Sequence, residues 1–333
     1  MESIHKVLKE VTVGWPRTFG GLTVYSLTGI SGAAPKYQVL DEAIAAGTAR
    51  VTEIGEGGSV PELAFHNDGD RPVLVLDGEE LAGAKQNRVV NLTLLAPAKQ
   101  KIVIPVSCVE AGRWASMSEE FTSTAQVMYS RARGQKYAQV SRAMAAGAGR
   151  TSDQSRVWED IGLKQRELCS NSPTARMTDT FEENQGRLDD YVRNLPCVEG
   201  QVGAVFALTG RLSCVELFDS AETLKTMWPK LVRSWALDAL PVADQPHEVQ
   251  PVADAQALLE EIANAQASKH EALGLGTDLR FEGARLNGGA LIHEKKLVHL
   301  CVFRSGTSDD SGWDGWRRSR MTRASRRRGQ VLA

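Results

Sequence analysis

Seven charged or amide side chains crowd the twelve residues from Asp77 to Arg88: Asp77, Glu79, Glu80, Lys85, Gln86, Asn87 and Arg88. If a strand runs through them, Asp77 and Glu79 share a face, and paired carboxylates can hold a hard cation such as Mg2+ or share a proton. Glu80 is a third candidate for acid or base work. Lys85 and Arg88 suit a phosphate or carboxylate, the arginine through its planar fork of donors. Gln86 and Asn87 could orient what is bound. Gly78 and Gly83 let a backbone or ligand come close. The plain alternative is a solvated connection whose charges pair with one another. Loops on a rigid scaffold carry function often enough to keep both readings open.

Other chemistries find less support. Cys108 shares a two-residue period with Ile102, Ile104 and Val106, so its thiol reads as a small hydrophobe on an apolar face. Cys214 and Cys301 sit inside apolar strands and read the same way. The five cysteines are odd in number and never spaced C-x-x-C, which suits reduced thiols in a cytosol. None of the six histidines forms H-x-x-x-H or H-E-x-x-H, the spacings that bring two imidazoles to one zinc ion. His293 and His299 flank Glu294-Lys-Lys296, which reads as a solvated turn. Asp278, Arg280 and Glu282 alternate with apolar residues, a pattern for cross-strand ion pairs. Gly274-x-Gly276 precedes a strand rather than a helix, so it does not make a phosphate loop.

The elements that must position these residues change character along the chain. Residues 1–115 are strand-rich, with strands at 22–27, 50–54, 62–66, 73–76 and 89–95 and a short helix over 41–46. Asn67-Asp-Gly-Asp70 is a hairpin signal between two of them. The strand at 102–110 contains Pro105, which cannot donate to a ladder and points to an edge or a bulge. Residues 116–195 turn helical: Ser118 with Glu119 and Glu120, Thr151-x-x-Gln154 and Ser172-Pro173 read as three starts. Residues 196–305 are mixed. A hairpin turns at Thr209-Gly210, with Val205 and Ala207 on one face and Phe206 and Leu208 on the other. Both faces are apolar, so the pair belongs inside a sheet covered on each side. Ser220 caps a helix that Pro229 should break or kink, and another helix spans 253–272. Strands follow near 277–282, 288–293 and 297–303.

Sheet and helix mix without strict alternation, which favours an α+β fold with a mainly antiparallel sheet against a helical layer. Residues 1–305 read as one domain and 306–333 as a disordered basic tail. Residues 304–333 hold eight Arg against three Asp, so the formal charge of −2 conceals a body of −7. That mild acidity gives no general argument for nucleic acid. No run approaches the length of a membrane-spanning helix, and Met1-Glu-Ser-Ile-His-Lys is not followed by an apolar stretch. A cytoplasmic location is expected.

The stretch Asp77–Arg88, with Ile102–Glu110 and Gly112-Arg-Trp114 behind it, resembles a bacterial family. It is the ADP-ribosylglycohydrolase- and rhodanese/phosphatase-superfamily-associated protein family. Gly203–Asp219, the helix to Leu240 and Gly274–Phe303 look like the rest of the same domain, and the match spans about residues 5–303. The resemblance implies a link to NAD and ADP-ribose metabolism. It implies either a protein that binds or processes a phosphorylated or ADP-ribosyl small molecule, or a non-catalytic partner or regulator of a neighbouring ADP-ribose-handling enzyme. It carries no catalytic set. The residues standing in its signature-like stretch are Asp77, Gly78, Glu79, Glu80, Gly83, Gln86, Asn87 and Arg88.

Overall fold

Alternation decides what each strand shows to its neighbours, and in this chain it sorts apolar side chains into three separate cores. The computed structural model of the protein describes residues 1–29, 34–55, 57–283 and 285–304. The tail expected over 306–333 lies outside them. The chain opens with α1 (Glu2–Glu10), β1 (Thr12–Phe19) and β2 (Leu22–Thr28). Next come β3 (Gln38–Val39), α2 (Leu40–Ala45), β4 (Ala49–Thr52), β5 (Glu62–Asn67) and β6 (Val73–Val75). They are followed by β7 (Glu79–Gly83), β8 (Arg88–Val90), β9 (Leu94–Ala96), β10 (Gln100–Cys108) and β11 (Glu120–Val127). The helical layer is α3 (Ser130–Ala145), α4 (Gln154–Leu168), α5 (Met177–Glu183) and α6 (Gln185–Asn194). Then come β12 (Gly203–Leu208), β13 (Arg211–Phe218), α7 (Ala221–Ala239) and α8 (Val252–Asn264). The described chain closes with β14 (Ala267–Glu271), β15 (Thr277–Glu282), β16 (Leu286–His293) and β17 (Lys296–Arg304).

The fold is α+β, as expected. An eight-stranded antiparallel sheet runs β1-β2-β12-β13-β17-β16-β15-β14. Val205, Ala207, Val215 and Leu300 face one side and pack with Ile4 and Leu8 of α1 and Leu258, Leu259 and Ile262 of α8. Phe206, Cys214, Phe218 and Cys301 face the other and pack with α7 through Leu224, Trp228, Leu231 and Trp235. Phe206 stacks on Trp235 with ring centroids 5.1 Å apart. The hairpin turning at Thr209 and Gly210, both with positive φ, is therefore covered on both faces.

Six strands close a barrel in the order β10-β5-β4-β11-β7-β8. Val51, Leu63, Phe65, Leu81, Val90, Ile104, Val106 and Phe121 belong to its core. Closure leaves no edge. Pro105 lies instead where β10 changes partner, its last pair with β5 being to Glu62 and its first with β8 being Val106 to Val90. A three-stranded sheet, β3-β6-β9, sits beside the barrel.

Tertiary demands override several local signals. Asn67-Asp-Gly-Asp70 is no hairpin: β5 belongs to the barrel and β6 to the small sheet, and the turn carries the chain from one to the other. Asn67 fastens that corner by donating to the carbonyls of Arg71, Ala96 and Pro97. The strand expected over 89–95 splits into β8 and β9 for the same reason. Ser118-Glu-Glu120 leads into β11 rather than a helix, because the barrel needs a strand between β4 and β7. Asp153, not Thr151, caps α4, accepting from the N–H groups of Ser155 and Arg156. Gln154 is free to clasp the backbone of Cys108. Ser172 accepts from Arg176 N–H, but α5 starts only at Met177. α7 runs unbroken through Pro229, and the helix expected over 253–272 stops at Asn264, its last residues forming strand β14. Among the described residues no helix is long and apolar enough to cross a membrane.

Candidate functional site

β7 and β8 form a short antiparallel hairpin, Leu81 opposite Arg88 and Glu80 opposite Val89. Its open end holds Asp77 and Glu79, and its turn end holds Lys85 to Arg88. Asp77 precedes the strand instead of sharing a face with Glu79. The two ends are electrostatically unlike.

At the open end every charge has a partner. Asp77 is buried, accepts from Lys136 Nζ and lies 3.2 Å from Arg133 Nε. Both cations project from α3, one turn apart. Lys136 also donates to Val90 O at 3.0 Å, locking helix to hairpin. The fork of Arg133 then spans to Glu216 of β13 with bonds of 2.9 and 2.8 Å. Burial alone would raise the Glu216 carboxyl, but Arg133 and His299 hold it at about 2. Burial lowers His299 from its ordinary value against the pull of Glu216, which favours the neutral ring. Its Nε2 lies 3.1 Å from the ionised Glu216 and is the protonated nitrogen. Nδ1 then accepts from Thr93 Oγ1 at 3.2 Å, and that oxygen accepts from Asp77 N–H at 3.1 Å. Beside this chain Arg280 pairs with Asp278 at 2.7 Å and lies over Tyr137, its carbon 4.8 Å from the ring centroid.

Glu79 is buried and paired with Lys230 of α7 at 2.7 Å, and Lys230 also holds Asp41. Burial pushes Glu79 up from its ordinary value against the pull of Lys230. Glu80 faces outward from the barrel toward α5, and its side-chain hydrogen bonds among the described residues come from neutral donors, with the charge of Arg176 also acting on it. Thr178 Oγ1 lies at 2.5 Å, Asn87 Nδ2 at 3.2 Å and Thr124 Oγ1 at 3.5 Å. Burial raises it to about 7.

The turn end is the mouth of the barrel. Arg88 lies opposite Leu81 on one side and Cys108 on the other, two residues before the core residue Val90. It has 0% of its surface exposed. Nη1 donates to the Gln86 carbonyl at 3.0 Å, Gln86 Oε1 at 3.1 Å and the Asn87 carbonyl at 3.4 Å. Nε and Nη2 have no hydrogen-bond partner among the described residues. Burial lowers the Arg88 pKa from its ordinary value. Trp114, 49% exposed, lies against it, its ring centroid 5.6 Å from the Arg88 guanidinium and 5.6 Å from Lys85 Nζ. Lys85 donates to Gly57 O at 2.5 Å. Asn87 Oδ1 and Glu110 receive Arg113 Nη2 at 3.3 and 2.6 Å, which ties the turn to the loop carrying Trp114.

Residues 10–303 match the family described as the ARG and Rhodanese-Phosphatase-superfamily-associated Protein domain. The chain belongs to this family. No curated protein and no solved structure matches it. The name of the ARG and Rhodanese-Phosphatase-superfamily-associated family sets the domain beside ADP-ribosylglycohydrolases and the rhodanese/phosphatase superfamily, a link of context rather than of reaction.

Of the seven candidates, the structure brings Gln86 to Arg88, Glu80 to Asn87, and Lys85 with Arg88 to Trp114. It sends Asp77 and Glu79 to different helices. Nor is the segment solvated: its carboxylates are buried, and those of Asp77 and Glu79 pair with helical cations rather than with neighbours along the turn. Two cavities of about 140 and 360 Å³ lie elsewhere, and no residue of 77–88 lines either. Sequence reasoning missed Arg133, Lys136, Lys230, Glu216 and Glu53. A signal existed for Glu216, an acid between Val215 and Leu217 in an apolar strand. Arg133 and Lys136 fall in register with buried Tyr129, Ala132, Tyr137 and Val140. His299 is no part of a solvated turn. Asp278 and Arg280 pair along one strand rather than across two. Cys108, Cys214 and Cys301 are buried, as expected. Cys214, Glu216 and Cys301 are close enough to share an ion, but Arg133 already occupies both Glu216 oxygens.

Proposed function

We propose that the barrel mouth is an oxyanion site, through which the protein binds or processes a phosphorylated or ADP-ribosyl compound. One observation carries the reading: a fully buried guanidinium, Arg88, has two nitrogens, Nε and Nη2, without acceptors and forms no ion pair among the described residues. Buried polar groups are nearly always satisfied, so such a pair of donors calls for a partner. A phosphate or carboxylate offers two oxygens at the spacing of the fork. Lys85 and Arg113 add positive charge nearby, and Gln86 and Asn87 fix the turn. Because Arg88 has no exposed surface, the ligand enters when Trp114 and its loop move aside. Asp77 and Glu79 do not fit a shared Mg2+ as they stand, since each already neutralises a buried cation at the other end of the hairpin.

The test is calorimetry and thermal melting with ADP-ribose, other sugar phosphates and inorganic phosphate, with and without Mg2+. A ligand of the folded state raises the melting temperature by mass action. Arg88→Ala should weaken binding by roughly ten- to a hundredfold, and Arg88→Lys should restore only part of it. Unchanged affinity in Arg88→Ala, or no oxyanion bound by the wild type, would sink the reading. The latter outcome would leave the partner or regulator role, to which the 85% exposed Trp15 on edge strand β1 offers a contact point.

A further inference from the structure

A second unpartnered group shares the mouth with Arg88. Glu53 follows β4, and its Oε1 accepts from Lys85 N–H at 3.3 Å. Its Oε2 is shielded from solvent and has no hydrogen-bond partner among the described residues. Glu53 acts on the charges of both Arg88 and Cys108, yet it forms no ion pair with Arg88. The loop leaves room for this carboxylate. A Cβ on Gly58 would come within 3.1 Å of Glu53 Oε2 and 3.2 Å of Lys85 Cδ, at a φ of +73° that a side chain rarely adopts. The mouth thus holds idle donors and an idle acceptor that do not satisfy each other.

Resting on the oxyanion reading, we infer that the ligand is a phosphorylated polyol, such as a sugar phosphate, with its phosphate on Arg88 and a hydroxyl donated to Glu53 Oε2. A bare oxyanion would satisfy Arg88 and leave Glu53 repelling it. A ligand that brings a donor as well turns that repulsion into a charge-assisted hydrogen bond. The donor is a hydroxyl rather than an ammonium, because Arg88 and Lys85 already stand beside Glu53 and would repel a further positive group. Glu53 is then a specificity residue: it selects among oxyanions that Arg88 holds alike. A site built to accept a hydroxyl proton discriminates against the analogue lacking it, since its own buried acceptor stays unpaired.

The experiment compares glycerol 3-phosphate, propyl phosphate and phosphoethanolamine by calorimetry on the full chain. The wild type should bind glycerol 3-phosphate about tenfold or more tighter than propyl phosphate, and phosphoethanolamine no better than propyl phosphate. In Glu53→Gln the preference should shrink to about threefold or less, while propyl phosphate itself binds more tightly because a negative charge has gone. A general loss of structure could not raise one affinity while lowering a ratio. Equal binding of glycerol 3-phosphate and propyl phosphate, both dependent on Arg88, would overturn the polyol inference and leave the oxyanion site standing. Preference for phosphoethanolamine, or a preference that persists in Glu53→Gln, would overturn it as well. Failure of all three to bind would overturn the polyol inference, and failure of ADP-ribose and inorganic phosphate as well would overturn the oxyanion site with it. The wild-type series decides the matter even if Glu53→Gln does not fold.

Discussion

The two ends of one hairpin, two residues of strand apart, treat buried charge in opposite ways. At the open end Asp77, Glu216 and Asp278 face Arg133, Lys136 and Arg280, three carboxylates against three cations, and each finds an ion-pair partner, with Arg280 Nη1 alone of these atoms left without a hydrogen bond among the described residues. At the turn end Arg88 and Glu53 share a mouth and keep polar atoms idle. Both stretches looked alike as strings of charged residues. The difference teaches that buried charge argues for a site only when it is left over. A network in which every charge is paired joins helix, sheet and barrel into one arrangement and has little to offer a charged ligand, whereas one with an unpaired charge costs stability that binding can return.

Breaking the complete end should do the most damage. Asp77→Ala strands Lys136 and leaves Arg133 one partner short, and removing one member of a buried ion pair costs about 3–5 kcal/mol. A denaturant titration of the variant should show that loss, while ligand affinity per folded molecule stays unchanged. A loss under about 1 kcal/mol would mean the network is less satisfied than its geometry indicates.

The next effect separates carboxyls by their partners. Glu80, hydrogen-bonded by neutral donors, is raised by burial from 4.5 to about 7. Between those values the folded protein keeps a proton that the unfolded chain has released, so stability falls as pH rises through that window, by up to about 1.4 kcal/mol per unit. Glu216, held at about 2 against burial by Arg133 and His299, has the opposite sign. Its contribution is present above 4.5 and is lost as pH falls toward 2. Glu80→Gln should therefore flatten the decline between about pH 5 and about pH 7 and leave the acid limb alone. Parallel stability curves for variant and wild type would refute the assignment.

The smallest change in stability is expected where the sequence looks most charged. Arg88→Met removes a guanidinium that has no ion pair among the described residues and substitutes an apolar side chain of similar length, so stability should shift by less than about 1 kcal/mol, or rise. The same variant should lose oxyanion binding. A loss as large as that of Asp77→Ala would erase the contrast between the two ends.

Much of the fold was legible because burial imposes period two. The hairpin at Thr209-Gly210 followed from its turn signal and two apolar faces, and the three final strands fell close to where they were expected. The barrel was not legible as a barrel. Its strands are short, and Asn67 and Asn91–Thr93 carry the chain between sheets at places that look like ordinary turns. In the site, Arg88 and Lys85 could be picked out by residue type. Their importance relative to Asp77 and Glu79 could not, since it depends on Arg133, Lys136 and Lys230, which arrive from helices up to 151 residues away. Glu53 gave no local sign, because an unpaired oxygen exists only once everything around it is placed.

β17 lies between β13 and β16 in the eight-stranded sheet. Without it that sheet is two pieces: β1, β2, β12 and β13 on one side, β16, β15 and β14 on the other. The barrel strands all fall between residues 49 and 127, so a growing chain holds a whole barrel long before it holds a whole sheet. The keystone arrives with Lys296–Arg304, the last stretch of the described fold, and it brings His299 with it. Until then Glu216 has no imidazole and Thr93 no ring to donate to. The domain's electrostatic lock is set by the last strand of the described fold.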